Sequence, residues 1–514
     1  MKRFINASLP AYMAPEGTSK GGSNPIWGYH PDYNVMVESI SKSRPVSEIM
    51  GYYEMQTHLL GPFPGELFNQ QILTSKPHCT FLTFHKSKKA NFYDANDTST
   101  LLPEQLIGDI NIIAVPFPKA DITKADLEKA DIHSGDIVII KTGIAEKYRE
   151  MYPTKSYYTD HPGITFEAAE LLAEKGIKAV AIDVRDIEPQ NSKNRGNVSV
   201  TEMLNEAGII VIQDIANLDE VKESQKTVII SVPIKIRGMI GGPARVIAID
   251  LDNPVDYTDL SYKLKTYPSS RYDRKHGWME PLPERIDPRD MMFIMFNNRL
   301  QPFILKGDDV RTPTGTCQEM YITASHATNT HVEAAYFDPC HVHNIPEEIL
   351  CRFKEMPLDR LIAPASVIDL SEKIGPRQII DAPLLESTGK HVRKGDILFM
   401  RSDINDWYLW GAGMDVTAGF TLSAANWMIE KGIRCLAIDW ASVERSNPAS
   451  GLKEIHYTAN DVHYTLHNAD IPVVENLTRV GKVQKKHVSA AILPVPAHNL
   501  GGFPCDVFIW EDWD

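Results

Sequence analysis

Histidine and carboxylate side chains are concentrated in one stretch of the chain. Residues 325–343 contain four histidines, and one residue separates His331 from Glu333 there. Side chains alternate between the two faces of a β-strand, so an extended His-x-Glu places its imidazole and its carboxylate on the same face. Nitrogen and oxygen donors on one face are suitable ligands for a divalent cation such as Zn²⁺ or Mn²⁺. The spacing indicates a metal site, and the same pattern taken alone also fits a polar loop.

A second pair of such groups lies further along the chain. His463 falls in a stretch with a helical pattern, and Glu475 ends an apolar stretch that is predicted to be a strand. Burying a carboxylate at the end of an apolar strand costs free energy unless the group is paired or bound to a cation. Glu475 is therefore a candidate for chemistry, with a salt bridge to a basic neighbour as the structural alternative.

The sequence segments that must position these groups occur twice in the chain. Four segments of the first half recur in the same order in the second half, at offsets that drift between 256 and 262 residues. The pairs are 131–142 with 391–402, 163–183 with 419–439, 208–212 with 470–474, and 241–250 with 501–510. Ordered matches with drifting offsets indicate duplication of one unit with small insertions and deletions.

Both repeats predict the same local structure. Thr165 and Thr421 precede apolar residues at helical spacing, which is typical of an N-cap. Gly176 and Gly432 stand where each helix would end in a left-handed residue. An apolar run ending in Asp then predicts a buried strand in each copy, so the fold class is α/β with mixed α+β character.

The duplication also sets the predicted domain boundaries. We assign an N-terminal extension to 1–44, a first copy to 45–255, a linker to 256–289 and a second copy to 290–514. The linker is rich in Pro, Tyr, Arg and Asp and lacks apolar periodicity. A length of 514 residues fits two cores of ordinary size.

Composition narrows the classes of function. The chain is 43% hydrophobic and 23% charged, which is typical of soluble globular proteins, and its net charge of −14 disfavours a nucleic-acid-binding surface. It contains no 18-residue apolar run, no signal-peptide pattern and no CxxC pair among its six cysteines. We therefore expect a cytoplasmic protein with reduced thiols that acts on a small molecule and binds neither nucleic acid nor a membrane.

Each copy resembles the cyclase family, whose members include kynurenine formamidase, isatin hydrolase and the trans-dienelactone hydrolases. Residues 329–335 resemble the middle of the family's histidine-rich signature, and His463 with Glu475, followed by Asn-Leu, resembles its later signature. The Gly-Asp strand, the Thr-capped helix and the Gly-Gly strand occur in family order in both copies. The resemblance implies two tandem cyclase-like domains of the swivelling β/β/α type that form an internal pseudo-dimer. Further homo-oligomerisation stays open.

The resemblance also implies a metal-dependent hydrolase. Its substrate would be an amide, a cyclic amide or imide, or a lactone, attacked by metal-activated water. On this hypothesis His326, His331 and Glu333 hold Zn or Mn, while His463, held by Glu475, transfers the proton. In family members with two metals the last two positions are themselves ligands, so their roles stay open here.

The second copy departs from the family signature at several positions. The first histidine of the signature aligns with Ala327, and its last histidine aligns with Phe337. His326 therefore reaches the site only if a β-bulge shifts the strand by one residue. His341 and His343 are the alternative ligands from the following loop.

The first copy has lost more of the candidate groups. Alignment of the copies places Thr83 opposite His331, His85 opposite Glu333, Thr201 opposite His463 and Gln213 opposite Glu475. We interpret this copy as a degenerate, structural half. A rebuilt site around His78 and His85 is the alternative.

Two further functions were weighed against the hydrolase. A catalytically inactive binding or scaffold protein is consistent with the altered signature. Retention of His463 and Glu475 in one copy alone favours an enzyme, because drift without selection would erode both copies alike. The segment Gly411-Ala412-Gly413 does not indicate a dinucleotide-binding oxidoreductase, since the full Gly-x-Gly-x-x-Gly motif is absent.

Overall fold

The computed structural model describes part of the chain in detail. The described residues are 2–8, 81–83, 101–117, 120–145, 161–184, 187–189, 200–233, 241–261, 272–273, 278–279, 301–304, 321–324, 330–334, 358–375, 378–405, 418–440, 442–444, 461–494 and 502–512.

Strands of the first half form one large sheet. In chain order the first ten strands are β1 (Lys2–Asn6), β2 (Phe81–Thr83), β3 (Ile107–Ala114), β4 (Ile137–Lys141), β5 (Ala179–Ile182), β6 (Ile210–Gln213), β7 (Thr227–Ser231), β8 (Gly241–Pro243), β9 (Arg245–Ile249) and β10 (Tyr257–Asp259). All of these except β1 lie in the first sheet, in the order β10-β9-β7-β3-β4-β5-β6-β2-β8.

The second half repeats this sheet. Four short strands come first: β11 (Tyr272–Asp273), β12 (Trp278–Met279), β13 (Gln301–Ile304) and β14 (Tyr321–Ala324), paired β11 with β12 and β13 with β14. The later strands are β15 (His331–Glu333), β16 (Ile362–Asp369), β17 (Ile379–Ile380), β18 (Ile397–Arg401), β19 (Gly419–Phe420), β20 (Cys435–Ile438), β21 (Val473–Glu475), β22 (His487–Pro494) and β23 (Gly502–Asp512). The second sheet has the order β1-β23-β15-β21-β20-β18-β16-β22, and β17 pairs with β19 separately.

Both sheets curl until their ends meet. In the second sheet β23 pairs with β15 at its start and with β22 further along, so seven strands close into a ring. In the first sheet only Ala244 separates β8, which pairs with β2, from β9, which pairs with β7. The central strands β3 to β6 and their counterparts β16, β18, β20 and β21 are parallel, which requires helical crossovers between them. The predicted mixed α/β fold, built from two similar halves, is confirmed.

Seven α-helices occur in the described residues. They are α1 (Pro103–Leu106), α2 (Lys124–Leu127), α3 (Phe166–Lys175), α4 (Val200–Glu206), α5 (Ala382–Thr388), α6 (Leu422–Lys431) and α7 (Asp461–Asn468). Thr165 caps α3 by accepting a hydrogen bond from the Ala168 N–H, and Thr421 caps α6 in the same way. Gly176 and Gly432 end these helices with φ of 68°, as predicted.

The apolar core has three parts. Strand residues alternate between two of them: Val211 faces the cluster beneath α3 and α4, whereas Ile210 and Ile212 face a central cluster. The second sheet repeats the pattern, with Val473 facing its own helices and Val474 facing the centre. The central cluster contains residues of both sheets, so the two halves share one core.

Polar contacts reinforce the junction between the halves. The buried carboxylate of Asp506 accepts a hydrogen bond of 2.7 Å from the Val232 N–H. Arg245 donates from Nε to the Pro494 carbonyl at 2.7 Å. These contacts fix the two sheets against each other, as expected for an internal pseudo-dimer.

The two segments outside the predicted copies also contribute strands. Lys2–Asn6, in the predicted N-terminal extension, pairs antiparallel with β23 of the second sheet. Tyr257–Asp259, in the predicted linker, pairs antiparallel with β9 of the first sheet. None of the helices in the described regions has the length and apolarity needed to cross a lipid bilayer.

Candidate metal centre

Two neighbouring strands of the second sheet carry three of the candidate groups. β15 and β21 pair antiparallel, and the register places His331 directly opposite Glu475. Because side chains alternate, Val332 faces the central core while His331 and Glu333 face the side of the helices. The site therefore lies between the second sheet and α7.

The helix α7 supplies the fourth group and is itself anchored by a carboxylate. Oε1 of Glu444 accepts the backbone N–H groups of Val462 and His463, both at 2.9 Å, and so satisfies two donors in the first turn of the helix. The same oxygen lies 3.0 Å from Nδ1 of His463. A carboxylate only accepts, so Nδ1–H donates to Glu444 and Nε2 is the atom turned toward the strands.

Four side chains alternate around a small ring. Nε2 of His331 lies 3.3 Å from Glu333 and 3.5 Å from Glu475. Nε2 of His463 lies 3.2 Å from Glu333 and 3.4 Å from Glu475, in each case on the other carboxylate oxygen. The ligand atoms of His331, Glu333 and Glu475 all lie within 4.8 Å of one another.

These spacings suit a shared cation better than direct ion pairing. Charge-assisted N–H···O⁻ hydrogen bonds are usually about 2.7–2.9 Å long. Ligand atoms about 2.0–2.2 Å from a tetrahedral cation lie about 3.4 Å from one another. The distances from His331 to Glu333 and Glu475, 3.3 and 3.5 Å, match the second value. Two imidazoles and two carboxylates are also the donor types that Zn²⁺ and Mn²⁺ accept.

The ring is electrostatically balanced. Burial lowers the pKa of His331, but Glu333 and Glu475 outweigh this effect and raise the pKa to about 10. Burial likewise opposes the shift at His463, whose pKa the carboxylates of Glu333, Glu444 and Glu475 raise well above its ordinary value. Burial raises the pKa of Glu333, yet the two imidazoles hold it well below the usual range. Without a cation, two imidazolium groups thus face two carboxylates.

The backbone around Glu475 is held on both sides. The Val443 N–H donates to Oε1 of Glu475 at 2.7 Å. The chain then turns sharply at Asn476, which has a left-handed φ of 63°, and Thr330 donates from Oγ1 to the Asn476 carbonyl at 2.7 Å. Since Thr330 immediately precedes His331, one hydrogen bond couples the two strands that carry the ligands.

The structure brings together four of the residues singled out from the sequence: His331, Glu333, His463 and Glu475. Five others lie outside the described residues: His326, His341, His343, His78 and His85. In the structure Glu444, rather than Glu475, lies beside Nδ1 of His463.

Sequence reasoning missed Glu444. The signal was present in the duplication, because the Ile-Asp that ends the second echo is followed five residues later by Glu in both copies, at Glu188 and Glu444. Extending the echo by those residues would have identified a carboxylate common to the two halves.

The first half has a different set of groups at the equivalent positions. The register pairs Phe81 with Gln213 and Thr83 with Val211, so Phe81 occupies the place of His331 and Thr83 that of Glu333. The ungapped alignment was therefore displaced by two residues, a shift that keeps each side chain on the same face. Among the described residues no group of three or more potential ligands lies in the first half.

Two features of the site recur in the first half. Glu188 accepts hydrogen bonds from the N–H groups of Val200 and Thr201 and from the Thr201 hydroxyl, as Glu444 does for α7. Gln213, in the place of Glu475, is 2% exposed, and neither atom of its amide makes a hydrogen bond. Among the described residues, the four positions equivalent to the ring hold Phe81, Thr83, Thr201 and Gln213, none of which is charged, and we call these positions the uncharged site.

Several solved structures are similar to part of this chain. Isatin hydrolase A from Labrenzia aggregata is 20% identical over 43% of this chain and 90% of its own, with a TM-score of 0.31. Isatin hydrolase A from Ralstonia solanacearum is 17% identical over 41% of this chain and 82% of its own, also with a TM-score of 0.31. A potential metal-dependent hydrolase with cyclase activity is 18% identical over 42% and 88%, with a TM-score of 0.30.

Sequence comparison gives the family. No curated protein matches the chain. The family model described as putative cyclase matches residues 45–189 and again residues 249–445, which together make up more than half of the sequence. The chain therefore belongs to the cyclase family.

Proposed function

We propose that this protein is a metal-dependent hydrolase that cleaves an amide, a cyclic amide or imide, or a lactone, and that the chemistry takes place in the second half. The observation that carries the proposal is the ring of two imidazoles and two carboxylates, spaced 3.2 to 3.5 Å apart on β15, β21 and α7. Such a set of converging buried ligands and titrating groups is typical of a functional site, and its donor types suit metal-assisted hydrolysis.

Three residues would hold the cation. His331, Glu333 and Glu475 present ligand atoms within 4.8 Å of one another and are fixed by strand pairing. A bound Zn²⁺ or Mn²⁺ would polarise the substrate carbonyl and lower the pKa of a water ligand. The mixed nitrogen and oxygen donors support the choice of Zn²⁺ or Mn²⁺.

His463 would carry the proton. Glu444 fixes its Nδ1, so Nε2 is directed at the ring. A cation on Glu333 and Glu475 would neutralise these carboxylates and remove their effect on the pKa of His463, so Nε2 could take a proton from the attacking water and return it to the leaving group. Its side chain is 13% exposed, against 1% for His331, which leaves it the more accessible of the two imidazoles.

The test separates metal binding from proton transfer. Purified full-length protein is stripped with a chelator, reloaded with Zn²⁺ or Mn²⁺, analysed for metal content and assayed against small cyclic imides, lactones and N-acyl amides. We expect metal-dependent hydrolysis of at least one class. His463→Ala should abolish turnover while metal remains bound.

The duplication offers a matched control. Thr201→Ala alters the equivalent position of the first half and should leave both metal content and turnover unchanged. Protein that takes up no metal after reloading would contradict the proposal, and so would equal loss of activity in the two variants. The second outcome would indicate a structural effect or an active first half.

A further inference from the structure

The first strand of the chain and the strand β10 occupy equivalent places in the two sheets. β1 pairs antiparallel with β23, and β10 pairs antiparallel with its counterpart β9. The sequences also correspond at a constant offset of 253: Phe4-Ile5-Asn6-Ala7-Ser8 matches Tyr257-Thr258-Asp259-Leu260-Ser261 in its aromatic, Asx and serine positions.

The hydrogen bonds around the two strands repeat one by one. Around β1 they run from Ala7 N to Val507 O at 2.8 Å, from Val507 N to Ser8 Oγ at 2.7 Å, from Ser8 N to Asn6 Oδ1 at 2.9 Å and from Thr478 N to Ala7 O at 3.0 Å. Around β10 they run from Leu260 N to Val246 O at 2.8 Å, from Val246 N to Ser261 Oγ at 2.9 Å, from Ser261 N to Asp259 Oδ1 at 3.1 Å and from Ala216 N to Leu260 O at 2.8 Å. Four matched bonds, two of them to side chains, indicate that the segments are copies of one strand.

We propose that the two repeats are interlocked by exchange of this strand, and that residues 2–8, carried by the first half, complete the metal centre of the second. Each repeat then begins with a strand that binds to the other repeat: residues 2–8 lie on β23, and residues 257–261 lie on β9. On this view the repeating unit starts near residues 2 and 255, ahead of the boundaries expected from the other echoes.

The exchanged strand reaches the segment that follows the ligand Glu475. Ser8 forms an antiparallel bridge with Leu477, and Ala7 accepts the Thr478 N–H. Thr330 holds the carbonyl of the intervening Asn476 from the other side. The turn after Glu475 is thus held between the ligand strand β15 and the N-terminal segment.

The strand is also tied to both halves by charge. Nζ of Lys2 lies 2.7 Å from Asp512 of β23 and 2.7 Å from Asp252, which lies in the turn between β9 and β10. Strand addition of this kind supplies main-chain hydrogen bonds along an open sheet edge. The edge of β23 is therefore a binding surface whose occupant is the first strand of this chain.

The test removes the strand and returns it as a peptide. A chain lacking residues 1–8 is prepared with the rest intact, and binding of a fluorescently labelled synthetic peptide of residues 1–10 is followed by anisotropy. We expect saturable peptide binding to the truncated chain and none to the full chain. Zn²⁺ affinity of the truncated chain should fall at least about tenfold and recover when the peptide is added, since supports of metal ligands contribute about that much.

The metal readout rests on the proposed function, whereas the peptide readout does not. A full chain that binds no Zn²⁺ would contradict the hydrolase alone, and peptide binding would still decide the strand exchange. A truncated chain that does not bind the peptide, and that binds Zn²⁺ with the same affinity as the full chain, would overturn the inference.

A pair of mild variants covers the case in which the truncated chain does not fold. Ser8→Ala and Ser261→Ala remove the same hydrogen bond from the two equivalent strands. Ser8→Ala should weaken Zn²⁺ binding and speed amide hydrogen exchange at residues 477–478, and Ser261→Ala should do neither. Equal behaviour of the two variants at both readouts would overturn the inference.

Discussion

The two halves share a scaffold and differ in the charges placed on it. Asp214 and Asn476 follow the equivalent strands β6 and β21 with left-handed φ values of 57° and 63°. The sharp turn after the site is therefore kept in both halves, whether Glu475 or Gln213 precedes it. The comparison shows that backbone geometry and helix anchoring belong to the shared fold, and that the two halves differ in the four side chains placed on it.

Glu188 and Glu444 show the same separation of roles. Glu188 accepts hydrogen bonds from the first backbone N–H groups of α4, and Glu444 accepts those of α7. Each carboxylate also contacts a side chain of its helix. In the first half that side chain is Thr201, and in the second it is His463. An anchor common to both halves thus orients an imidazole in one of them.

The largest effect is expected from giving the second half the residue of the first. Glu475→Gln removes one of two carboxylates that face His331 and His463, so the ring loses a ligand and its charge balance. We expect loss of bound metal and of hydrolysis. Metal content and the rate of hydrolysis are measured for this variant. The first-half control is Gln213→Ala, which should retain both the bound metal and the hydrolysis. Metal retained at full occupancy in Glu475→Gln would show that Glu475 is not a ligand.

The thermal stability of Zn²⁺-loaded protein should depend on pH differently from that of metal-free protein. In the metal-free state the raised pKa of His331, about 10, contributes stability that is complete below its ordinary value of 6.5 and is lost as the pH rises through 10. Cation binding requires the neutral imidazole, so affinity rises over the same interval. The difference in Tm between Zn²⁺-loaded and metal-free protein should therefore widen from about pH 7 to about pH 9. A Tm difference that narrows between about pH 7 and about pH 9 would contradict the assignment of His331 as a metal ligand.

The two helix anchors offer a matched pair of intermediate effect. Glu444→Gln replaces the charged partner of His463 Nδ1, and we expect Zn²⁺ affinity to fall about 10- to 100-fold, as for other residues that orient metal ligands. Glu188→Gln makes the same change beside Thr201 and should leave Zn²⁺ affinity unchanged. Titration calorimetry with Zn²⁺ compares them, and Glu444→Asp is the variant for partial rescue. Equal affinities for both Gln variants would assign Glu444 a purely structural role.

The smallest effect concerns the uncharged site of the first half. Gln213→Leu removes a buried amide that makes no hydrogen bond, so the free energy of unfolding should rise by about 1 kcal/mol. Asn205→Leu removes a buried amide that donates to the Ile209 carbonyl at 2.9 Å. This change should lower the free energy of unfolding by about 1–3 kcal/mol. Urea unfolding midpoints give both values. Destabilisation by Gln213→Leu would show that its amide is satisfied in solution.

The parts of the molecule that could be predicted from the sequence are those with local signals. Thr165, Gly176 and their repeats determine helix ends through contacts within a few residues, so the echoes were sufficient. His331 with Glu333 followed from the two-residue period of a strand. Pairing between distant strands could not be predicted this way, because a shift of two residues preserves every face, and Phe81 therefore took the place expected of Thr83. The partners of Glu444 lie 18 and 19 residues away, so its role has no local pattern and only the repeat of Glu188 marks it in the sequence.

Strand exchange across the whole chain has a consequence for biosynthesis. Lys2–Asn6 leaves the ribosome well before its partner Gly502–Asp512, which is made about 500 residues later. At about 5–20 residues per second, the first strand waits about 25 to 100 s for the edge on which it lies. The second sheet can therefore close only once translation has passed Gly502–Asp512, and the four groups that converge on β15, β21 and α7 gain their full support only then.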